Sequence, residues 1–299
     1  MTATKKYILV VNPISGDVDK TDVVEQIKTF AKSRFVEIIV FETQGTNDVV
    51  ALHKLFEQHQ PERILVVGGD GTIKMAAEAF EHQDIVFGII PAGSANGLAV
   101  DLGLPDGIAE NLIIAFDDSF TNIDMICING IKSIHLADLG LNAALVKNYE
   151  QGSTRGKLGY ALQIITTLVE IGDPFEAKIQ ANGQEITCEA AMIVIANAQK
   201  YGTGVTINPD GKMNDGKFEI VILKNFDLIV FTKIVTGNIP VNTDDFQIIS
   251  TDAAIITTTV PTSFQIDGEY IGEETKLDIQ ILPARMCVTI PKTSDEKIY

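Results

Sequence analysis

Positive charge is scarce in this chain: 23 lysines and arginines stand against 40 aspartates and glutamates, a formal net charge of −17 over 299 residues. Such a surface repels nucleic-acid phosphates and anionic membranes alike. No nucleic-acid partner is therefore expected, nor diffuse electrostatic holding on lipid. Cysteine is scarce too. Cys127, Cys188 and Cys287 are odd in number, far apart and without a CxxC pair, which argues against a disulfide framework or a thiolate zinc site. They read as small core residues. Long apolar runs are missing: none approaches the roughly 20 residues that cross a bilayer, and Tyr7 to Val11, after Lys5 and Lys6, is too short for a secretory signal. The expectation is a cytoplasmic chain without a transmembrane segment, one that meets any lipid peripherally and transiently at the membrane surface. A Walker loop is absent as well. Gly152 to Lys157 has the wrong spacing and is followed by Leu158, where that loop needs Ser or Thr.

What is present is core material. Hydrophobic residues make up 45% and charged residues 21%, the balance of a globular protein, in a length that suits two domains. The first third alternates predicted strands (Tyr7 to Asn12, Val36 to Phe41, Ile64 to Val67, Val86 to Ile90) with predicted helices. The helices are Thr21 to about Lys32, with Thr21 as N-cap, Asn47 to Gln58, and Thr72 to Phe80. Continuous apolar strands separated by helices indicate a parallel sheet covered on both faces, whose ligands bind at the carboxyl ends of the strands. After Thr121 the texture changes. Asn129-Gly130, Asn182-Gly183, Asp215-Gly216 and Asp267-Gly268 each sit between apolar runs as hairpin turns. Two helices, Leu158 to Ile171 and Phe226 to Val235, interrupt this strand-rich half. The predicted fold class is α/β plus β: an N-terminal parallel-sheet domain over 1–125 and a mostly antiparallel β-sandwich domain over 126–299.

Three loops follow strands of the predicted parallel sheet and share Gly, Ser and Asn. Gly68-Gly69-Asp70-Gly71-Thr72 ends a strand and opens a helix, so its backbone N–H groups suit a phosphate. Asp70 in an anion-binding loop makes sense if Mg²⁺ joins it to the phosphate. Lys74 stands where a Rossmann fingerprint needs its third glycine, which excludes that motif. Asn12-Pro13-Ile14-Ser15-Gly16 and Pro91-Ala92-Gly93-Ser94-Ala95-Asn96-Gly97 are the other two loops. Each alone is as well read as a turn; together, at one sheet edge, they mark a phosphate site.

In order, these loops resemble those of the diacylglycerol kinase and sphingosine kinase family, including the soluble bacterial lipid kinases. Asn197, Tyr201-Gly202, Asn208-Pro209, Asn214-Asp215-Gly216 and Asp267-Gly268-Glu269 continue the resemblance through the second half. It implies an ATP-dependent lipid kinase acting on diacylglycerol or a related lipid, and it leaves a homodimer open. By resemblance, ATP is lined by Asn12, Pro13, Ser15, Gly16, Thr43, Gly68, Gly69, Asp70, Gly71, Thr72, Ser94 and Asn96. Asp70 would anchor a catalytic Mg²⁺ through a water network that extends to Asp124. Asp215, with the main-chain oxygens of Lys212 and Lys217, would hold a second, structural Mg²⁺. Glu269 would be the general base, its pKa raised beside Asp267 near a partly dry cleft, with Asp267 next in line for the role.

Departures from the family pattern leave other readings standing. Lys74-Met75 and Gly97 replace residues usual in the family, thin the carboxylate network, and make the third loop resemble the sphingosine and ceramide kinases. NAD kinases resemble the chain at Gly68 to Thr72, and an inactive nucleotide- or lipid-binding regulator is the remaining alternative. The apolar stripe Leu158, Ala161, Leu162, Ile165, Leu168 and Val169 reads first as core and second as an acyl-chain channel. Lys147, Arg155 and Lys157 would form a local basic patch beside it.

Overall fold

We describe a computed structural model over residues 4–16, 19–81, 83–94, 96–140, 174–201, 205–224 and 246–292. The chain divides into two compact units: Met1–Ile123 with Ala284–Tyr299, and Asp124–Pro283.

The first unit is built from β1 (Lys5–Val11), α1 (Thr21–Ser33), β2 (Val36–Glu42), α2 (Asp48–His59), β3 (Arg63–Gly68), α3 (Asp70–Ala79), β4 (Val86–Pro91), α4 (Gly97–Asp101) and α5 (Ile108–Ala115). β1 pairs in parallel with both β2 and β3, and β3 in parallel with β4. The order β2-β1-β3-β4 reverses direction at β1, which makes the gap between the ends of β1 and β3 a topological switch point. Ile8 to Val10 and Ile64 to Val67 have no exposed surface, as strands covered on both faces must. Helix α1 contributes Val23, Ile27 and Ala31, one face at four-residue spacing. At the other end of the sheet Arg63 is buried, its Nη1 donating to Ala115 O and Asp117 O at 2.7 and 2.8 Å. That guanidinium closes the carbonyl end of α5.

Two helix starts differ from expectation. Thr21 opens α1 rather than capping it; Lys20 holds the cap position, and the Asp19 carboxylate accepts Thr21 N–H at 2.9 Å. The α3 helix begins at Asp70 rather than Thr72, because Thr72 and Ile73 N–H already bond back to Gly69 O. Asp70 thereby enters the first turn, where a carboxylate complements the helix dipole. Helices α4 and α5 were not foreseen.

The second unit carries β5 (Phe120–Ile128, which starts in the first unit), β6 (Ile131–Ser133), β7 (Leu136–Gly140), β8 (Phe175–Ala181), β9 (Gln184–Ala190) and β10 (Met192–Ala196). The short pair β11 (Lys200–Tyr201) and β12 (Val205–Thr206) follows. Then come β13 (Phe218–Leu223), β14 (Phe246–Thr251), β15 (Ala253–Ile266) and β16 (Glu269–Thr289). Its pairings are antiparallel, in the order β14-β13-β10-β7-β15-β16, with the β8–β9 hairpin also joined to β15. Ile193, Ile195, Ile220 and Ile222 enter one core while Val194, Val221 and Leu223 enter another. Both faces of β10 and β13 are thus covered, and their sequences read as unbroken apolar runs for that reason.

Three of the four expected hairpin turns form. Asn129-Gly130, Asn182-Gly183 and Asp267-Gly268 join paired strands with positive φ at both residues, 50° and 84°, 52° and 70°, and 50° and 85°. That is the type I′ geometry whose twist matches the flanking strands. Asp215-Gly216 does not. Only Gly216 has positive φ, 74°, and the turn lies between β12 and β13, which are not partners. The expected second domain also loses its end. Ala284–Tyr299 groups with the first unit, because Cys287 and Val288 near the end of β16 pair in parallel with Val86 and Phe87 of β4. Helices at 158–171 and 226–235, the apolar stripe and the Lys147, Arg155 and Lys157 patch lie outside the described residues. Among the described residues, no helix is long and apolar enough to cross a membrane.

Candidate active site

The loops after β1, β3 and β4 are tied together at the switch point by hydrogen bonds and by close glycine contacts. Asn12 Nδ2 donates to Thr72 Oγ1 at 3.2 Å, and Asn12 N–H to Val67 O at 3.1 Å. Ser15 Oγ donates to Ala92 O at 3.2 Å, and Ala92 N–H donates to Gly68 O at 2.9 Å. A Cβ on Gly16 would stand 2.9 Å from Ala92 O, at a φ of +58° that L side chains avoid. Asn96, itself left-handed at φ 56°, accepts Gly93 N–H on Oδ1 at 2.8 Å and donates Nδ2 to Gly93 O at 3.1 Å. Thr43 N–H donates to Val11 O at 2.9 Å, which brings the end of β2 to the same edge. Pro13 and Ser94 lie on these loops as well, with Ser94 exposed, and Gly71 is in the first turn of α3.

Asp70 is more committed than its sequence context suggests. Its Oδ2 accepts Gly97 N–H at 2.8 Å and its Oδ1 accepts Leu98 N–H at 3.0 Å. One carboxylate at the start of α3 therefore caps the start of α4. Gly97, noted as a departure for lacking a carboxylate, serves through its backbone.

Lys20 was missed by sequence reasoning. It is 4% exposed, and its Nζ donates to Ser15 O at 2.6 Å and Ala92 O at 2.9 Å. Burial pushes its pKa below the usual lysine value, and the charge of Asp19 beside it acts in the opposite direction. A lone lysine after a turn carries no pattern, so only the folded loops reveal this cation.

The second unit gathers the remaining candidates around two turns. Asp124 is buried, and its Oδ2 accepts Gly216 N–H at 2.8 Å while its N–H donates to Met213 O. Asn197 Nδ2 in turn donates to Asp124 O at 2.8 Å. Asp124 thus stands against the turn that contains Asp215. The Asp215 Oδ1 accepts Lys217 N–H at 3.1 Å, so Lys217 meets Asp215 through its own backbone.

Glu269 opens β16 opposite Ile266 and is exposed, so the dry surroundings expected for it are not found. Asp267 is occupied instead. Its Oδ1 accepts Ser133 Oγ–H, His135 N–H and Leu136 N–H at 2.8, 3.0 and 3.2 Å, and its Oδ2 accepts Ile134 N–H at 3.2 Å. A carboxylate so engaged anchors the turn and is withdrawn as an alternative base.

Among the described residues, no three His, Cys, Asp or Glu side chains converge on a point. Mg²⁺ is usually held by one or two carboxylates with waters and phosphate oxygens. Asp70 in the first unit and Asp215 in the second each present carboxylate oxygens, the donor type Mg²⁺ takes.

A doubly wound parallel unit with glycine loops at its switch point is followed by an antiparallel β unit. Residues 6–128 match the diacylglycerol kinase catalytic domain, and residues 137–290 match the YegS C-terminal NAD kinase beta sandwich-like domain. The chain belongs to the diacylglycerol kinase and YegS-type lipid kinase family, whose members transfer a phosphoryl group to an alcohol. It is 26% identical over 280 residues to the diacylglycerol kinase of Bacillus subtilis (strain 168), covering 90% of this chain and 91% of that one. It is 27% identical over 237 residues to a protein of Escherichia coli O1:K1 / APEC named "Probable lipid kinase YegS", covering 76% of this chain and 78% of that one. Its fold matches the crystal structure of a diacylglycerol kinase from Bacillus anthracis str. Sterne with a TM-score of 0.76 at 20% identity, over 97% of this chain and 98% of that one.

Proposed function

We propose that this chain transfers the γ-phosphoryl group of ATP, with Mg²⁺, to a hydroxyl of diacylglycerol or a closely related lipid reached at the membrane surface. The observation that carries the ATP reading is the hydrogen-bonded convergence of the β1, β3 and β4 loops at the switch point, beside the start of α3. Backbone N–H groups and a helix N-terminus there suit the triphosphate. Lys20 holds the β1 and β4 loops in register, and Asn12, Ser15, Gly68, Gly69, Thr72 and Asn96 shape the anion-binding edge. Mg²⁺, when bound, neutralises charge on the phosphoryl oxygens, with Asp70 as its proposed anchor and Asp215 as the anchor of a second, structural ion. Asp124 supports the Asp215 turn.

Phosphoryl transfer asks a protein mainly for positioning and charge stabilisation. Glu269 supplies the remaining chemistry. Its carboxylate takes the proton of the lipid hydroxyl as the new O–P bond forms and the bond from the γ-phosphorus to the β–γ bridging oxygen breaks, releasing ADP. Gly97 favours keeping sphingoid bases as a second acceptor class, since the β4 loop lacks the acidic residue usual in bacterial relatives.

The test is incubation with γ-labelled ATP and a panel of diacylglycerol, sphingosine, ceramide and NAD, with and without EDTA. Label in phosphatidic acid, abolished by EDTA, is the expected result. Label in NAD alone would replace the lipid reading. No transfer to any acceptor would favour the inactive regulator.

A further inference from the structure

The turn that presents Glu269 is held by two buried polar side chains that the proposed chemistry has not used. Gln265 in β15 is 1% exposed and Asp138 in β7 is fully buried. The two stand opposite each other where these strands pair. Gln265 Nε2 donates to Asp138 Oδ2, and Gln265 Oε1 accepts the Gly268 N–H at 2.7 Å. Gly268 is the second residue of the Asp267-Gly268 turn, and Glu269 follows it directly. On the other side of the turn, Asp267 accepts from Ser133, Ile134, His135 and Leu136.

Their neighbours along the strands make this pair unusual. Ala137, Leu139, Phe264 and Ile266 turn to the core on the opposite face, while Leu136, two positions from Asp138, and Val194, opposite Asp138 on β10, share the pair's own face and enter a second apolar core. An amide and a carboxylate in that position are a cost to folding unless their hydrogen bonds are made. An apolar pair of similar volume is often neutral or better for stability. What the polar pair adds is direction. It captures a turn amide that a two-residue hairpin loop otherwise leaves to water, and it fixes the peptide plane between Asp267 and Gly268. That plane sets where the backbone of the next residue leads. An exposed glutamate has rotamer freedom of its own, so fixing its backbone removes the larger uncertainty in where its carboxylate stands. A misplacement of about 1 Å in a reacting group can lower a rate by as much as roughly a hundredfold.

We propose that Gln265, oriented by Asp138, is a positioning residue for Glu269 in phosphoryl transfer. The proposal rests on the reading of Glu269 as the base.

The experiment is a double-mutant cycle in the full chain, with lipid turnover, the KM for ATP and the thermal midpoint measured for each protein. Gln265→Met keeps side-chain length and removes both hydrogen bonds. Turnover is expected to fall about tenfold or more with the KM for ATP unchanged. In a Glu269→Gln background the same change should cost no further turnover, since the group it positions is already gone. Should Gln265→Met fail to fold, Gln265→Asn, which keeps an amide beside Asp138 but falls short of Gly268, is read in the same way. Wild-type turnover in the folded variant overturns the proposal, and so does an equal fold-loss in both backgrounds, the mark of a merely structural role. If Glu269→Gln alone turns over at the wild-type rate, the base reading itself fails and the positioning proposal falls with it.

Discussion

Gly69 and Gly93 face each other so closely that a Cβ on Gly93 would stand 2.4 Å from the Cα of Gly69. Neither is needed for a left-handed backbone; both are needed because two main chains meet there. The loops after β3 and β4 can approach this closely only because neither carries a side chain at this point. Gly93→Ala forces one loop off the other, and overpacking of that sort costs about 1–3 kcal/mol. A lower thermal midpoint together with weakened ATP binding by calorimetry is the expected outcome. Wild-type ATP affinity would show that the two loops do not act on one ligand.

Asp70→Asn tests the proposed metal anchor, and the structure changes what else it tests. The carboxylate accepts from both Gly97 and Leu98, and an amide has one acceptor oxygen where the carboxylate has two. Stability should therefore drop by about 1 kcal/mol, in addition to the loss of turnover. Denaturant unfolding and lipid-kinase assays measure the two effects separately. Near-normal turnover would remove Asp70 from the metal site and leave it as the cap of α4.

Glu269→Gln and Asp267→Asn should separate chemistry from architecture. Removing a positioned base typically lowers turnover by roughly 10²–10⁴-fold, and Glu269 is exposed and makes no side-chain hydrogen bond among the described residues, so Glu269→Gln should melt like wild type. Asp267 accepts four hydrogen bonds from residues 133–136, so Asp267→Asn should lower the melting temperature, at a cost of about 1–3 kcal/mol. Wild-type turnover by Glu269→Gln would send the search for the base elsewhere.

Acid stability has a local contributor in the first unit. Lys292 Nζ lies 2.9 Å from Asp117 Oδ2, and the hydrogen bond from Lys292 is the main cause holding the Asp117 pKa below the usual carboxylate value. A carboxylate with a depressed folded pKa adds stability above its unfolded pKa of about 4, and loses it as the pH falls through the folded value. Lys292→Met should lower the melting temperature at pH 7 and leave it unchanged at pH 2. A difference that persists at pH 2 would place the role of Lys292 in packing.

Local rules carry far in this chain. The apolar runs Tyr7 to Val11, Ile64 to Val67 and Val86 to Ile90 mark buried parallel strands, because a strand covered on both faces has no polar side to show. Asn129-Gly130, Asn182-Gly183 and Asp267-Gly268 mark hairpins, because only such pairs accept positive φ twice in succession. Asp215-Gly216 shows where that rule stops: the same dipeptide signal sits between strands that never pair. Gly68 to Thr72, Asn12 to Gly16 and Pro91 to Gly97 were legible as segments that meet at one sheet edge, since successive parallel strands put their carboxyl ends there.

The sequence by itself determined the β1 to β4 strands, the α1 to α3 helices, three hairpin turns and the placing of three loops at one sheet edge, since propensity, period and turn chemistry act over a few residues. Tertiary structure alone decided that Asp70 caps α4, that Lys20 clamps the β1 loop to the β4 loop, and that Ala284–Tyr299 rejoins the first unit. It also decided that Asp267 is spent on residues 133–136 while Gln265 and Asp138 hold the turn before Glu269. Those contacts join residues from 3 to 201 positions apart. A hydrogen bond needs its partners within about 3 Å, and that proximity is a property of the folded chain.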